Sequence, residues 1–79
     1  MSCAYIAVGR TVQAPHYWCW AKSKTISLAK ASLAREAGKG AKAIVVWRCD
    51  PLTVINELGD LEWPKGATPP AVVEDHRNE

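Results

Sequence analysis

The apolar pattern of residues 25–49 changes from helical spacing to a continuous run, which predicts one helix followed by one strand. The residues at helical spacing are Ile26, Ala29, Leu33 and Ala37. Thr25 suits an N-cap, because its hydroxyl can accept a hydrogen bond from a free amide of the first turn. Gly38 suits the helix end, since glycine readily adopts a left-handed conformation. The β-branched and aromatic run at residues 44–47 then predicts a strand within residues 41–49.

Two shorter segments before the helix place their side chains alternately on two faces, as strands do. Residues 3–11 predict the first strand, and the aromatic sequence YWCWAK at residues 17–22 predicts the second. In the second strand, Trp18, Trp20 and Lys22 share one face. Because a short link joins the two segments, we expect them to pair as an antiparallel hairpin.

The segment after the third strand is compatible with two structures. Asp50 and Pro51 can open a turn that leads to a fourth strand over residues 54–58, which would form a hairpin with the third. Alternatively, Asp50 caps a short helix that ends at Gly59. We favour the strand, because residues 53–55 (TVI) are β-branched in succession.

From residue 64 onward, three prolines, polar residues and no hydrophobic period predict an irregular or disordered acidic tail. The expected fold is therefore a single α+β domain over residues 1–63, in the order ββαββ, followed by a tail over residues 64–79. Its four-stranded antiparallel sheet carries the helix on one face. The opposite face has no second layer in this interpretation, which leaves it solvated or available for binding.

The formal charge of +2 conceals a strong asymmetry between the two parts of the chain. Residues 1–48 contain eight basic residues and one acidic residue, a balance of +7. Residues 49–79 contain seven acidic residues and two basic ones, a balance of −5. This split predicts one basic surface and one acidic surface or tail.

The cysteines and the N-terminus indicate a reducing compartment. Three cysteines cannot all pair within one chain, and the N-terminal residues lack the basic start of a signal peptide. No apolar run is long enough to cross a bilayer. We therefore expect a small soluble protein in a reducing cytoplasm. His16 and Cys19 have metal-like local spacing but no second ligand pair, so we expect neither a metal nor another cofactor.

Two surfaces are candidates for binding a partner. The first is aromatic and basic, and it consists of Trp18, Trp20, Lys22, Lys24, Trp47 and Arg48. Its rings could stack on unpaired bases while its cations meet phosphates. The second follows the polar side of the helix and its two ends. The candidate partner-binding residues are Trp18, Trp20, Lys22, Lys24, Leu28, Lys30, Arg35, Lys39 and Lys42. The structural alternatives are that the tryptophans form the core, which we favour for Trp47, and that the charges form a solvated face.

Catalysis finds little support in the sequence. It contains no GxSxG, phosphate-loop or HExxH motif and no carboxylate pair on a defined element. The glycines around Lys39 follow a helix instead of preceding one, so the helix dipole has the wrong sign for phosphate. The chain is not expected to be an enzyme.

Three features together resemble small phage-encoded anti-CRISPR proteins that act against type I systems. They are the segment around residues 4–6, the Thr-led and Ala- and Lys-rich helix at residues 25–37, and the valine-rich strand followed by a turn and Trp63. The resemblance implies a non-catalytic inhibitor that acts in the cytoplasm of a bacterial host. Such proteins bind the multisubunit surveillance complex and block target DNA binding or nuclease recruitment.

Two other functions remain compatible with the sequence. One is a nucleic-acid-binding accessory module that uses the basic and tryptophan-bearing surfaces. The other is a small structural protein that self-associates through its open sheet face. A monomer and a homodimer are both consistent with the sequence, and we expect no membrane association.

Overall fold

The computed structural model describes residues 3–78, which form one helix and six strands. In chain order these elements are β1 (Ala4–Arg10), β2 (Trp18–Ser23), α1 (Ile26–Ala37), β3 (Val45–Cys49), β4 (Val54–Ile55), β5 (Leu61–Glu62) and β6 (Ala71–Asp75). Four strands form an antiparallel sheet in the order β2-β1-β3-β6, and β4 pairs with β5 separately. The predicted α+β class with one helix and a four-stranded antiparallel sheet is confirmed.

The helix begins and ends where the local sequence predicts. The Thr25 hydroxyl accepts a hydrogen bond from the Leu28 amide at 3.1 Å, which satisfies one free donor of the first turn. Gly38 ends the helix with a φ of 113°. Ala29 and Leu33 are fully buried against β1 and β2, in a cluster that also contains Val46 of β3. This cluster is the main core of the domain.

The fourth strand of the sheet is β6 and not the predicted strand at residues 54–58. Residues 71–75 pair with β3, with a bulge between Val46 and Trp47. The segment after β6 is also attached, because the His76 amide donates to the Ile44 carbonyl oxygen at 2.8 Å. This strand corrects the expectation that residues 64–79 are irregular throughout, and it changes the predicted ββαββ order.

The short hairpin of β4 and β5 covers part of the sheet face opposite the helix. Ile55 and Leu61 pack against a second core cluster of Ala4, Ile6 and Cys49. Residues 50–59 therefore form neither the alternative helix nor a strand of the main sheet; only Val54–Ile55 is extended. The expectation that this face has no second layer therefore holds only in part, because the hairpin covers one portion of the face and leaves the rest uncovered.

Lys22 attaches the start of this hairpin to the sheet. Its Nζ donates hydrogen bonds to the carbonyl oxygens of Pro51, at 2.5 Å, and Thr53, at 3.0 Å. Both carbonyls belong to the turn that leads into β4. A cation on β2 thus fixes the position of a hairpin about thirty residues later in the chain.

No helix within residues 3–78 is long and apolar enough to span a membrane.

Candidate binding groove

All four tryptophans of the chain line one groove of about 730 Å³ between the uncovered part of the sheet and the β4–β5 hairpin. We call it the tryptophan groove. Its lining residues include Val8, Trp18, Trp20, Val45, Trp47, Ile55, Glu57, Leu58, Asp60, Leu61, Trp63, Pro70 and Arg77. An apolar concavity of this size is the default candidate for a binding site.

Strand alternation and register bring the tryptophans together. On β2, Ala21 is buried against the helix, so Trp18 and Trp20 project from the other face. In the same sheet, Trp20 lies opposite Val8 and Trp47 lies opposite Ile6. Cross-strand partners share a face, so three indoles occupy neighbouring positions on one side of the sheet.

The tryptophans are substantially exposed. Trp18, Trp20 and Trp63 have relative exposures of 59%, 40% and 42%, and Trp47 is partly buried. Large aromatic side chains normally bury most of their surface in a folded protein. The groove therefore presents an apolar surface that the chain itself does not cover.

The outer wall of the groove is the turn between β4 and β5. Asn56 Oδ1 accepts hydrogen bonds from the amides of Leu58, at 2.9 Å, and Asp60, at 3.0 Å. Gly59 completes the turn with a φ of 84°. This turn holds Leu58 at the rim with 86% of its surface exposed, although leucine is a residue that folding usually buries.

The charged groups of the groove differ in whether they are already paired. Arg77 makes two hydrogen bonds to Asp75, at 2.9 and 2.7 Å, and this pairing lowers the pKa of Asp75 to about 2. Glu57 and Asp60, on the hairpin, form no ion pair within residues 3–78. Beside the groove, the Arg10 guanidinium lies 4.5 Å from the centre of the Trp18 ring. The unpaired charge of the groove is therefore negative.

The structure brings together only part of the predicted partner-binding set. Trp18 and Trp20 line the groove, and Lys22 shares their strand, but its ammonium is engaged with the hairpin carbonyls. The other six candidates do not line the groove: Lys24, Leu28, Lys30, Arg35, Lys39 and Lys42. The basic residues and the tryptophans thus do not form one continuous surface.

The candidate residues outside the groove have different surroundings on the helix side of the sheet. Lys30 reaches β6 and pairs with Glu74 at 2.6 Å, and this hydrogen bond, followed by one from His76, lowers the pKa of Glu74. Lys30, Lys42 and His76 line a second and more polar concavity of about 600 Å³. Leu28 is 51% exposed on the helix, as its position in the helical pattern predicts. These residues lie on the helix side of the sheet.

Sequence reasoning placed Trp47 in the core and did not include Trp63 or Leu58 among the candidates. Trp47 follows the buried Val46, and strand alternation alone could have assigned it to the opposite face. For Trp63 and Leu58 no local signal was available, because their positions depend on how the β4–β5 hairpin folds onto the sheet.

Two observations concern the metal-ligating and nucleophilic side chains within residues 3–78. No group of three or more metal-ligating side chains occurs there. Cys49 is buried, and this desolvation raises the pKa of its thiol, although Lys22 and the Thr53 hydroxyl oppose the rise. A raised pKa makes a cysteine a poor nucleophile near neutral pH.

Comparison with protein-family models, curated proteins and solved structures found no match to this chain.

Proposed function

We propose that this protein is a small non-catalytic inhibitor that binds a partner protein through the tryptophan groove. The exposure of Trp18, Trp20 and Trp63 in one preformed groove carries this proposal. Tryptophan contributes more to protein–protein binding than most residue types when it enters a desolvated contact. Leu58 at the rim would add an apolar contact.

We infer the partner from the resemblance to phage-encoded anti-CRISPR proteins. On this hypothesis the groove engages a subunit of a type I CRISPR surveillance complex and blocks target DNA binding or nuclease recruitment. The charge asymmetry supports such a role, since an acidic hairpin next to the groove can steer the protein toward a basic channel. No bond has to be made or broken for this function.

The nucleic-acid-binding alternative is less well supported by the geometry. Stacking platforms for bases combine aromatic side chains with a positively charged path for the phosphates. Among residues 3–78, the unpaired charges that line the tryptophan groove are Glu57 and Asp60, and the cation that lines it, Arg77, is paired with Asp75. Phosphates would therefore meet repulsion where the aromatic rings are exposed.

Two matched leucine variants test the proposal. Tagged wild-type protein, Leu58→Asp and Leu28→Asp would each be used to capture assembled type I complexes from lysates, with a free-DNA gel shift in parallel. Both leucines are exposed, so both variants should fold, but only Leu58 lines the groove. We expect Leu58→Asp to lose capture by at least about tenfold and Leu28→Asp to retain it.

Three results would count against the proposal. Loss of capture in Leu28→Asp, or in a Lys30→Glu/Arg35→Glu double variant, with Leu58→Asp unaffected would move the interface to the helix side. Failure of the wild-type protein to capture any complex would reject the proposed partner. A gel shift that weakens with salt would favour the nucleic-acid module.

A further inference from the structure

The tryptophan groove combines two features that together select for a cation. Indole faces attract ammonium and guanidinium groups through the quadrupole of the ring, and tryptophan is the most effective residue for this interaction. Four indoles line the groove, and two carboxylates, Glu57 and Asp60, share its lining without an ion pair inside residues 3–78. From this arrangement we infer that the groove binds an arginine or lysine side chain of an extended basic segment of the partner protein.

The chain already contains one contact of the proposed kind at the edge of the groove. Arg10 and Trp18 are cross-strand partners, and the guanidinium lies 4.5 Å from the ring centre. This distance is within the range of an effective cation–π contact. An incoming arginine would repeat this contact on indoles that have no such internal cation within the described part of the chain, Trp20, Trp47 and Trp63.

The position of the carboxylates gives the groove its charge preference. Asn56 fixes the backbone of the hairpin turn through the Leu58 and Asp60 amides, so Asp60 belongs to a constrained loop. Arg77 contributes little positive charge, because Asp75 neutralises it. A wholly apolar segment would leave the two carboxylates without a partner, and a nucleic acid would meet repulsion. A basic segment satisfies both the aromatic and the acidic lining.

This inference rests on the proposed function and adds the chemistry of the partner to it. The test uses the full-length protein and its own tryptophan fluorescence, since every tryptophan lines the groove. The probes are the peptide acetyl-GLRLG-amide and the same peptide with neutral citrulline in place of arginine. We expect the arginine peptide to change the emission in a saturable manner and to bind about tenfold more tightly than the citrulline peptide.

A pair of charge-matched variants makes the test specific to the groove. Glu57→Gln/Asp60→Asn removes the two groove carboxylates, and Glu36→Gln/Glu62→Gln removes two carboxylates that do not line it. Both change the net charge equally, so general electrostatic attraction falls equally in both. We expect only the first variant to bind the arginine peptide as weakly as the citrulline peptide. Circular dichroism checks that both remain folded.

The peptide experiment tests the cation preference of the groove, and the capture experiment tests whether the groove is the interface, so the two hypotheses can fail separately. Equal affinities for the two peptides, no emission change with either, or equal losses in the two double variants would overturn the inference. If Leu58→Asp abolishes capture while Glu57→Gln/Asp60→Asn retains it, the groove is the interface but does not select a cation. If Leu58→Asp retains capture, the proposed function itself is wrong, whatever the peptides do.

Discussion

Gly9 shows how the absence of one side chain permits the close packing of a segment on the sheet. A Cβ at this position would lie 2.7 Å from the Lys42 carbonyl oxygen and 3.1 Å from Leu33 Cδ2. Since the nearest atom is backbone, the clash cannot be relieved by a rotamer change. We expect Gly9→Ala to lower the free energy of unfolding by about 1–3 kcal/mol, measured by urea denaturation. Ser27→Ala on the exposed helix surface should change it by less than about 0.5 kcal/mol. An unchanged midpoint for Gly9→Ala would contradict the close approach.

Thr53 is a buried residue whose hydroxyl contributes little to the fold. It is fully buried, and its Oγ1 makes no hydrogen bond of standard geometry, although it lies close enough to Cys49 to influence that thiolate. Replacing an unsatisfied hydroxyl with a methyl group of the same shape is neutral or stabilising. We therefore expect Thr53→Val to raise the free energy of unfolding by about 0–1 kcal/mol in urea denaturation. Thr53→Ala, which leaves a cavity, should lower it; a destabilised Thr53→Val would show that the hydroxyl is needed.

Thr53→Val should also change the reactivity of the Cys49 thiol. Because the Thr53 hydroxyl lowers the pKa of Cys49, its removal should raise that pKa further. The buried thiol should then react more slowly with a disulfide reagent at alkaline pH than it does in the wild-type protein. Both proteins would also carry Cys3→Ser and Cys19→Ser, so that Cys49 is the one thiol that the reagent can label. Faster labelling in the absence of unfolding would contradict this prediction.

One cation contributes to the attachment of the β4–β5 hairpin to the sheet, in addition to the packing of Ile55 and Leu61. Lys22 donates to two carbonyl oxygens before β4, whereas Lys24 is exposed and makes no hydrogen bond within residues 3–78. We expect Lys22→Met to lower the free energy of unfolding by about 1–3 kcal/mol and to weaken binding in the groove. Lys24→Met is the matched control and should stay within about 0.5 kcal/mol of the wild type. Equal effects of the two substitutions would mean that the Lys22 contacts are not significant in solution.

Strand β6 carries two carboxylates whose ionised forms are stabilised in the folded protein, and one of them, Glu74, pairs with Lys30 of the helix. The pairing with Arg77 lowers the pKa of Asp75 to about 2 in the folded protein, and the contact with Lys30 lowers the pKa of Glu74. A lowered folded-state pKa contributes stability above the unfolded-state value, and this contribution is lost as the pH falls through the folded-state value. For Asp75 the window is from about pH 4 to about pH 2.

We therefore expect β6 to loosen on acidification before the helix does. Methyl signals of Val72 and Val73 in NMR spectra should broaden or shift between about pH 4 and pH 2, while those of Leu33 remain in place. Arg77→Met should reduce this acid response, because the pKa of Asp75 then no longer differs between the folded and unfolded chain. Simultaneous changes at Leu33 and Val72 would show that the strand has no separate acid sensitivity.

The elements that the sequence predicted correctly are those specified by neighbouring residues. Thr25 and Gly38 cap a helix whose apolar spacing is regular, and the β1–β2 hairpin has a short link and alternating faces. By contrast, Val54–Ile55 is only two residues long, and its pairing with β5 is not determined by local preference. Strand β6 follows a proline-rich stretch, and it becomes a strand because the free edge of β3 accepts it.

As with the fold, the sequence predicted the part of the candidate groove that depends on neighbouring residues. Local alternation on β2 correctly placed Trp18 and Trp20 on one face. The remainder of the groove required long-range geometry: the register of β3 for Trp47, and the folding of the hairpin for Trp63 and Leu58. The predicted basic surface failed to join the tryptophans because the sheet separates the helix side from the groove. Lys22 was placed on the correct face, but its ammonium has a structural partner.

At the scale of the whole molecule, the sheet separates two surfaces with different properties. The helix side carries Arg35, Lys39 and Lys42, and the groove side carries the tryptophans with an acidic hairpin. This arrangement explains why the strong charge asymmetry along the chain is compatible with a compact domain. It also means that the two candidate interfaces can be altered independently, as the Leu58 and Leu28 variants require.

The last strand and the contact of His76 attach residues 71–76 to the sheet, and a truncated chain tests this directly. A protein ending at residue 63 lacks β6, the Lys30–Glu74 ion pair and the contact of the His76 amide with Ile44. It also exposes the edge of β3, and exposed strand edges promote association between chains. Small domains have little stability in reserve, so losing one of four strands should be severe.

We expect the truncated chain to unfold at a lower urea concentration than the full chain and to show concentration-dependent association in sedimentation experiments. A Val72→Ser/Val73→Ser variant of the full chain separates the contribution of strand packing from that of chain length. If residues 64–79 were an irregular tail, as their composition suggests, truncation would leave both the unfolding midpoint and the mass in solution unchanged. Because Pro70 and Arg77 line the tryptophan groove, truncation should also weaken binding of the arginine peptide, which links the last strand to the proposed site.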